Sequence, residues 1–348
     1  MLILVGCGTS KQPKSTDPPP HVLGAPRVLV SAPGLSAFAQ DHGQVAWWSG
    51  GRCPAVHIRT VATGAETRIP QGRKCALADF DGYPALSSFV FAGGRALWSV
   101  HTHGNSDYQQ PQMASISDRL IRPAGYEIAN DGDTDFNGEF LGGMAGDGAT
   151  LVYVTYGVSH EESNYYVGGY STTRVDGGKA VNVPGAPGAF AVAVSGRLAV
   201  LLPPTGVDDD HDPFSEDSTP VEVRDVQTGE LVERIKHSGR AYGSIALTQQ
   251  FVALLVQDGA STRLETYSVD GGHRQSQASV PSNATSLSIA GETVVFRTEN
   301  TIHALNARSG RYSTVAVTKE TPIGLSIEGR RIAWGENGRI VAVYLAAR

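Results

Sequence analysis

One unit recurs seven times along this chain, and no other feature restricts its folding as tightly. Each copy has an alternating apolar segment, a turn, and a second segment dense in β-branched or aromatic residues. The copies read LSAFAQDHGQVAWW, LSSFVFAGGRALWS, FLGGMAGDGATLVYV, AFAVAVSGRLAVLL, GSIALTQQFVALLV, SLSIAGETVVFRT and IGLSIEGRRIAWG. Equivalent positions are Trp47, Trp98, Tyr153, Val200, Leu254, Phe296 and Trp334, spaced 51, 55, 47, 54, 42 and 38 residues apart. The sixth copy shows the whole unit: TSLSIAG, ETVVFRT, TIHALNA, an SG turn and YSTVAV. Each piece is about 5–7 residues, the usual length of a strand. A helical period of 3.6 is absent. Glycine supplies 41 of 348 residues, well above the usual ~7%, which favours many tight turns and disfavours long helices.

Four antiparallel strands, here named A to D, in a repeat of 38–55 residues are the arithmetic of a β-propeller blade. A lone blade cannot bury both faces; seven stacked about an axis can. The predicted fold is therefore all-β: a seven-bladed β-propeller of four-stranded antiparallel blades. Glycine-rich A strands suit the crowded axis. The seventh copy ends in IVAVYLAAR, which provides only strand C. The orphan segment PRVLVSAP (26–33) is expected to supply the missing outer strand and so close the ring. Residues 26–348 are read as the propeller, and 1–25 as a truncated lipoprotein signal and Pro-rich tether.

Three segments, VEVRDVQTGELVERI (221–235), VHIRTVATGAETRIP (56–70) and IHALNARSGRYSTVA (302–316), each look like a C strand, a T-G or S-G turn and a D strand. Through them, roughly residues 27–348 resemble bacterial seven-bladed propellers of the TolB-like, WD40-like and quinoprotein-like group. The resemblance implies architecture rather than activity, because such folds host many functions. The Gly-His and Trp-Asp signatures of eukaryotic WD40 repeats are missing, as is the Trp-docking pattern of quinone-dependent dehydrogenases, so no quinone cofactor is expected.

In such a ring the B–C and D–A connections share one face, and the A–B and C–D turns share the other. Nearly every long insertion falls in the first group: 101–112, 157–166 and 203–220 between B and C, and 71–84 and 124–139 between D and A. Long loops on a rigid scaffold are where binding usually resides. The candidate binding face therefore comprises His101, His103, Asp107, Tyr108, His160, Glu161, Tyr165 and His211, the last inside the acidic run DDDHDPFSED (208–217). His-x-His with a third ligand from the next loop would suit zinc; the same groups would suit acid–base work. Tyr166 and the tandem Trp47–Trp48 could join Tyr108 and Tyr165 in a groove, although Trp47 is expected in the core. DTDFNGEF places Asp133, Asp135, Asn137 and Glu139 as in a D-x-[DN]-x-[DN]-G calcium loop, but Met144 stands where the bidentate acid belongs. A shorter echo, DFDGY, spans 79–83. Beside that zinc alternative at the histidines, calcium at residues 133–139 is the cofactor expected.

The chain opens MLILVGCGTSKQPKSTDPPP, in which LVGC resembles a bacterial lipobox with Cys7 as the lipidated residue. Only six residues precede Cys7 and none is basic, whereas a full secretory signal needs a basic start and an apolar stretch of about 7–15 residues. Cys53 and Cys75 remain as an even pair, which in an exported chain reads as a disulfide. No run of about 18 apolar residues is present to span a membrane as a helix. A net charge of −6 excludes a broad nucleic-acid face, which needs a basic surface. Catalytic signatures such as Gly-x-Ser-x-Gly, a P-loop or His-Glu-x-x-His are not found, and no catalytic residue is assigned. The expectation is a monomeric, non-catalytic, extracytoplasmic lipoprotein of the bacterial cell envelope, bound to the membrane only through its lipid. It would bind a protein or peptide partner through the long-loop face. The alternative is a metal-assisted glycan hydrolase or lyase using that face.

Overall fold

The computed structural model describes residues 15–50, 54–71, 85–102, 107–131, 137–161, 164–208 and 212–347. Among them every regular element is a strand. β1 (Val22–Ser31) stands before the repeat. Blade 1 is β2 (Leu35–Asp41), β3 (Gln44–Ser49), β4 (Ala55–Thr60) and β5 (Glu66–Pro70). Blade 2 is β6 (Ala85–Ala92), β7 (Arg95–Thr102), β8 (Asp107–Ser115) and a short β9 (Ile121–Pro123). A linking strand, β10 (Ile128–Asp131), precedes blade 3: β11 (Asn137–Asp147), β12 (Thr150–Glu161), β13 (Asn164–Asp176) and β14 (Lys179–Asn182). Blade 4 begins with β15 (Ala191–Ser195) and β16 (Leu198–Leu202), breaks for a small hairpin of β17 (Gly206–Val207) and β18 (Pro213–Ser215), and resumes with β19 (Val221–Asp225) and β20 (Leu231–Ile235). Blade 5 is β21 (Arg240–Leu247), β22 (Phe251–Asp258), β23 (Ser261–Ser268) and β24 (Arg274–Val280). Blade 6 is β25 (Ala284–Ala290), β26 (Thr293–Thr298), β27 (Thr301–Asn306) and β28 (Tyr312–Val317); β29 (Ile323–Glu328), β30 (Arg331–Glu336) and β31 (Arg339–Leu345) belong to blade 7.

The fourth strand of blade 7 is β1, paired antiparallel with β31 from Val22 opposite Leu345 to Ser31 opposite Arg339. The closing strand thus starts four residues before the expected 26–33. Gly24 and Ala25, read as tether in sequence, form with Pro26 a bulge inside the strand, between Leu23 and Arg27. Proline and a bulge on an outer strand discourage further pairing. The innermost strands β2, β6, β11, β15, β21, β25 and β29 stand side by side in that order, and β29 returns beside β2.

Stacking explains why the B strands lack a two-residue alternation. Val45, Ala46, Trp47 and Trp48 of β3 are all buried. Trp47 packs with Val30, Phe38 and Ile340 at the blade 7–blade 1 seam, and Trp48 with Phe91 and Trp98 at the blade 1–blade 2 seam. The Trp48 and Trp98 rings lie 5.4 Å apart. Each aromatic of this kind buries roughly 150–250 Å², and its truncation to alanine typically costs about 3–5 kcal/mol. At the axis the fit is tight enough to demand glycine. A Cβ on Gly142 of β11 would lie 2.6 Å from the Ala189 carbonyl oxygen of the next blade.

Candidate functional site

Among the described residues, the insertions expected on one face are built largely as strand. β12 and β13 run beyond the blade as a hairpin arm, with His160 opposite Tyr165 and Glu161 opposite Asn164 near its tip. Within the segments 101–112 and 157–166, read as loops, the described residues 101–102, 107–112, 157–161 and 164–166 continue β7, β8, β12 and β13 as paired strands. Tyr, Val and Gln in them suit a pleated surface, and the His, Asn and Asp that suggested loops are concentrated at the tips. β10 lies between β8 and β11, with Asn130 opposite both Asp107 and Gly138, and so joins blades 2 and 3 into one sheet. Another insertion, β17–β18, pairs through Phe214 with Tyr242 of blade 5. Its turn end is closed by the Asp208 and Asp212 backbones, and the Asp212 amide donates to Asp208 Oδ1 at 2.9 Å.

Of the residues expected to bind, His101 is the penultimate residue of β7, opposite Gln109, and Asp107 and Tyr108 begin β8. His160 and Glu161 lie on β12 and Tyr165 on β13. His103, Asp133, Asp135, His211, Cys7, Cys53, Cys75 and residues 79–83 lie outside the described residues. Asn137 begins β11, and Glu139 accepts a short hydrogen bond from the Tyr126 hydroxyl. Burial, helped by that carboxylate, pushes the Tyr126 phenol up to about 12. Trp48 is buried with Trp47 and lines no groove. Sequence reasoning passed over Tyr126 and Tyr170. Tyr126, Tyr166 and Tyr170 are 44%, 56% and 66% exposed, on the arm and on the connection packed against it. Tyr170 is the unpaired residue of a bulge opposite β12. On the arm's other side Tyr156 and Val158 are buried with Phe190 and Ile245, the Phe140 and Tyr156 rings stack at 5.5 Å, and burial raises the Tyr156 pKa to about 12. The arm is thus fixed by one face and presents tyrosines on the other.

The opposite face holds a second constellation. Three inner strands end in an acid: Asp41, Asp147 and Glu328. Each accepts the amide of the next blade's A–B turn. Gly93 N donates to Asp41 Oδ2 at 2.8 Å, Gly196 N to Asp147 Oδ2 at 2.6 Å, and Gly43 N to Glu328 Oε1 at 2.6 Å. Such charge-assisted bonds are stronger than neutral ones and tie neighbouring blades at the axis. Arg331 pairs with Glu328 and donates to Gln40 Oε1 at 2.9 Å. His42 occupies a left-handed turn position, φ 46°, where Gly93, Gly148, Gly196, Gly291 and Gly329 stand in other blades. Its Nδ1 lies 2.6 Å from Asp41 Oδ1, and the imidazole is 72% exposed. That hydrogen bond, and then the Asp41 charge, hold its pKa above the ordinary value. These groups surround one end of an axial channel of about 690 Å³, walled by Val90, Met144, Val192, Ile245, Leu287 and Ile289. The signal was present in the aligned copies as AQDHG, AGDGA and SIEGR, an acid at the last A position in three blades.

No family model and no curated protein matches this chain. Solved structures do share its fold. A chain of the mitotic checkpoint complex is 10% identical, with 100% of this chain and 98% of that one covered and a TM-score of 0.54. The WD40 β-propeller domain of Doa1 is 8% identical over 94% of this chain and 97% of its own, with a TM-score of 0.50. BamB from Moraxella catarrhalis is 13% identical over 89% and 85%, with a TM-score of 0.46. At these identities the likeness concerns the fold, a WD40-like β-propeller.

Proposed function

We propose that this chain is a non-catalytic docking propeller whose B–C and D–A face holds a protein or peptide partner. The observation that carries the reading is asymmetry. The arm β12–β13, the linking strand β10 and the hairpin β17–β18 all rise on that face, where Tyr126, Tyr166 and Tyr170 stand exposed on a packed support. Tyrosine offers a large, stiff contact area with a polar tip, the profile of interface anchors. His101, His103, Asp107, Tyr108, His160, Glu161, Tyr165 and His211 belong to the same face by topology and complete the proposed surface. That a propeller of this fold comes from the mitotic checkpoint complex gives the reading a precedent. The LVGC motif at Cys7 and the polar Pro-rich stretch after it support a lipid-anchored, extracytoplasmic chain, which we take to act as a monomer.

The test is site-specific photo-crosslinking in cells of the source organism. Crosslinkers at Tyr126, Tyr166 and Tyr170 should capture one common partner. Crosslinkers at Gln227 and Asp270, exposed on C–D turns of the other face, should not. Capture of that partner from the second pair alone would reject the reading.

A further inference from the structure

The A–B end of the axial channel carries a donor set that the docking function does not use. One ligand atom each from Asp41, His42 and Asp147 lie within 4.8 Å of one another. Asp41 and His42 come from blade 1 and Asp147 from blade 3, brought together because the A–B turns crowd the axis. A Cβ on Gly93 would lie 2.4 Å from the Gly148 carbonyl oxygen. We propose that these three side chains bind one divalent transition-metal ion at this end of the channel.

The chemistry of the donors selects the ion. One imidazole nitrogen with two carboxylates suits zinc or a similar first-row cation. Calcium would take 6–8 oxygens. The charges agree. Glu328 is matched by Arg331, whereas Asp41 and Asp147 meet backbone amides and, at Asp41, the His42 imidazole, so that among the described residues no Lys or Arg ion pair is formed by either acid at the mouth. Amide hydrogen bonds do not exhaust them, because an ionised carboxylate offers about four lone-pair sites. The Asp41 side chain is 9% exposed and His42 72% exposed, so the set has a fixed floor and a solvent-facing ligand. The adjoining channel, about 690 Å³, leaves room for the waters that complete the coordination. On binding, the ion replaces the proton shared by His42 Nδ1 and Asp41 Oδ1, which is released to solvent.

Zinc titration calorimetry on the purified full chain tests this, with calcium as the comparison. His42→Gly is the informative variant, because glycine accepts the left-handed backbone and removes only the imidazole. Asp147→Asn is the second, with its urea midpoint measured to establish folding. One zinc equivalent should be lost, or weakened at least tenfold, in both variants. His273→Ala, an exposed histidine on a C–D turn of blade 5, should leave it unchanged. Excess calcium should not displace the zinc. Absence of zinc binding to the wild-type chain, or zinc binding unaltered in folded His42→Gly, overturns the assignment.

Discussion

Replacing Val30 with alanine should destabilise the whole propeller, whereas the same change at Val28, on the same strand, should not. Val30 is 2% exposed, in a cluster with Leu35, Phe38, Val45, Trp47 and Ile340; Val28 is 54% exposed. Val→Ala removes two methyl groups, worth about 0.8 kcal/mol each in transfer, and leaves a small cavity at the blade 7–blade 1 seam. The expected cost is about 2 kcal/mol at Val30 and close to zero at Val28. Urea unfolding followed by tryptophan fluorescence suits the comparison, because Trp47 lies in the affected cluster and Trp334 in the blade that β1 completes. Equal midpoints for the two variants would refute the reasoning. They would mean that residues 22–31 add no buried surface to the seventh blade and that the ring closes some other way.

Three further outcomes follow from the same packing. Gly142→Ala should cost about 1–3 kcal/mol in urea unfolding, because its Cβ meets the backbone of Ala189 and Phe190 and one strand must move, while Gly243→Ala, with nothing within 4 Å, should be neutral or slightly stabilising. Glu265 is 0% exposed, accepts from Ser238 and Tyr267, and faces Arg263 and Arg274; Glu265→Gln should cost about 3 kcal/mol, the low end for breaking a buried pair, because Arg274 is half exposed and can rehydrate, and a cost near zero would show that the charge is not needed there. Burial holds the His237 and His303 pKa values below the ordinary 6.5 despite the Glu265 and Asp217 charges near His237. As pH falls the unfolded chain takes up these protons first. Their contribution should therefore be complete above about 6.5 and lost as pH falls below it, and urea midpoints of the His237→Gln, His303→Gln double variant should change less between pH 7.5 and 5 than those of the parent.

Local signals in the sequence were sufficient for the ring and insufficient for what the ring assembles. A B strand buried between two neighbours needs apolar residues at consecutive positions, and Val45–Trp48 or Phe251–Val256 say so without any partner in view. Turn glycines and the missing last strand completed the repeat. The start of β1 was misplaced because Gly24, just after a Pro-rich run, carries the chemistry of a tether, while its tolerance on an outer strand depends on β31. The arm was read as loop for a similar reason. His160 and Glu161 are poor strand formers alone, and their pairing with Tyr165 and Asn164 holds them extended. Asp41, Asp147 and Glu328 escaped notice because the amides they accept lie 52, 49 and 285 residues away. Such contacts exist only once the blades are placed around an axis.

The account rests most heavily on the decorated face as the docking surface, and a binding constant tests it most directly. With the crosslinked partner purified, its affinity should be measured for the parent chain, for Tyr166→Ala, Tyr170→Ala, and for Gln227→Ala, Asp270→Ala on the other side. Loss of two interface anchors at more than about 1.4 kcal/mol should weaken binding at least tenfold, and the second pair should leave it within twofold. Full affinity in the tyrosine variant together with loss in the Gln227, Asp270 variant would contradict the central claim.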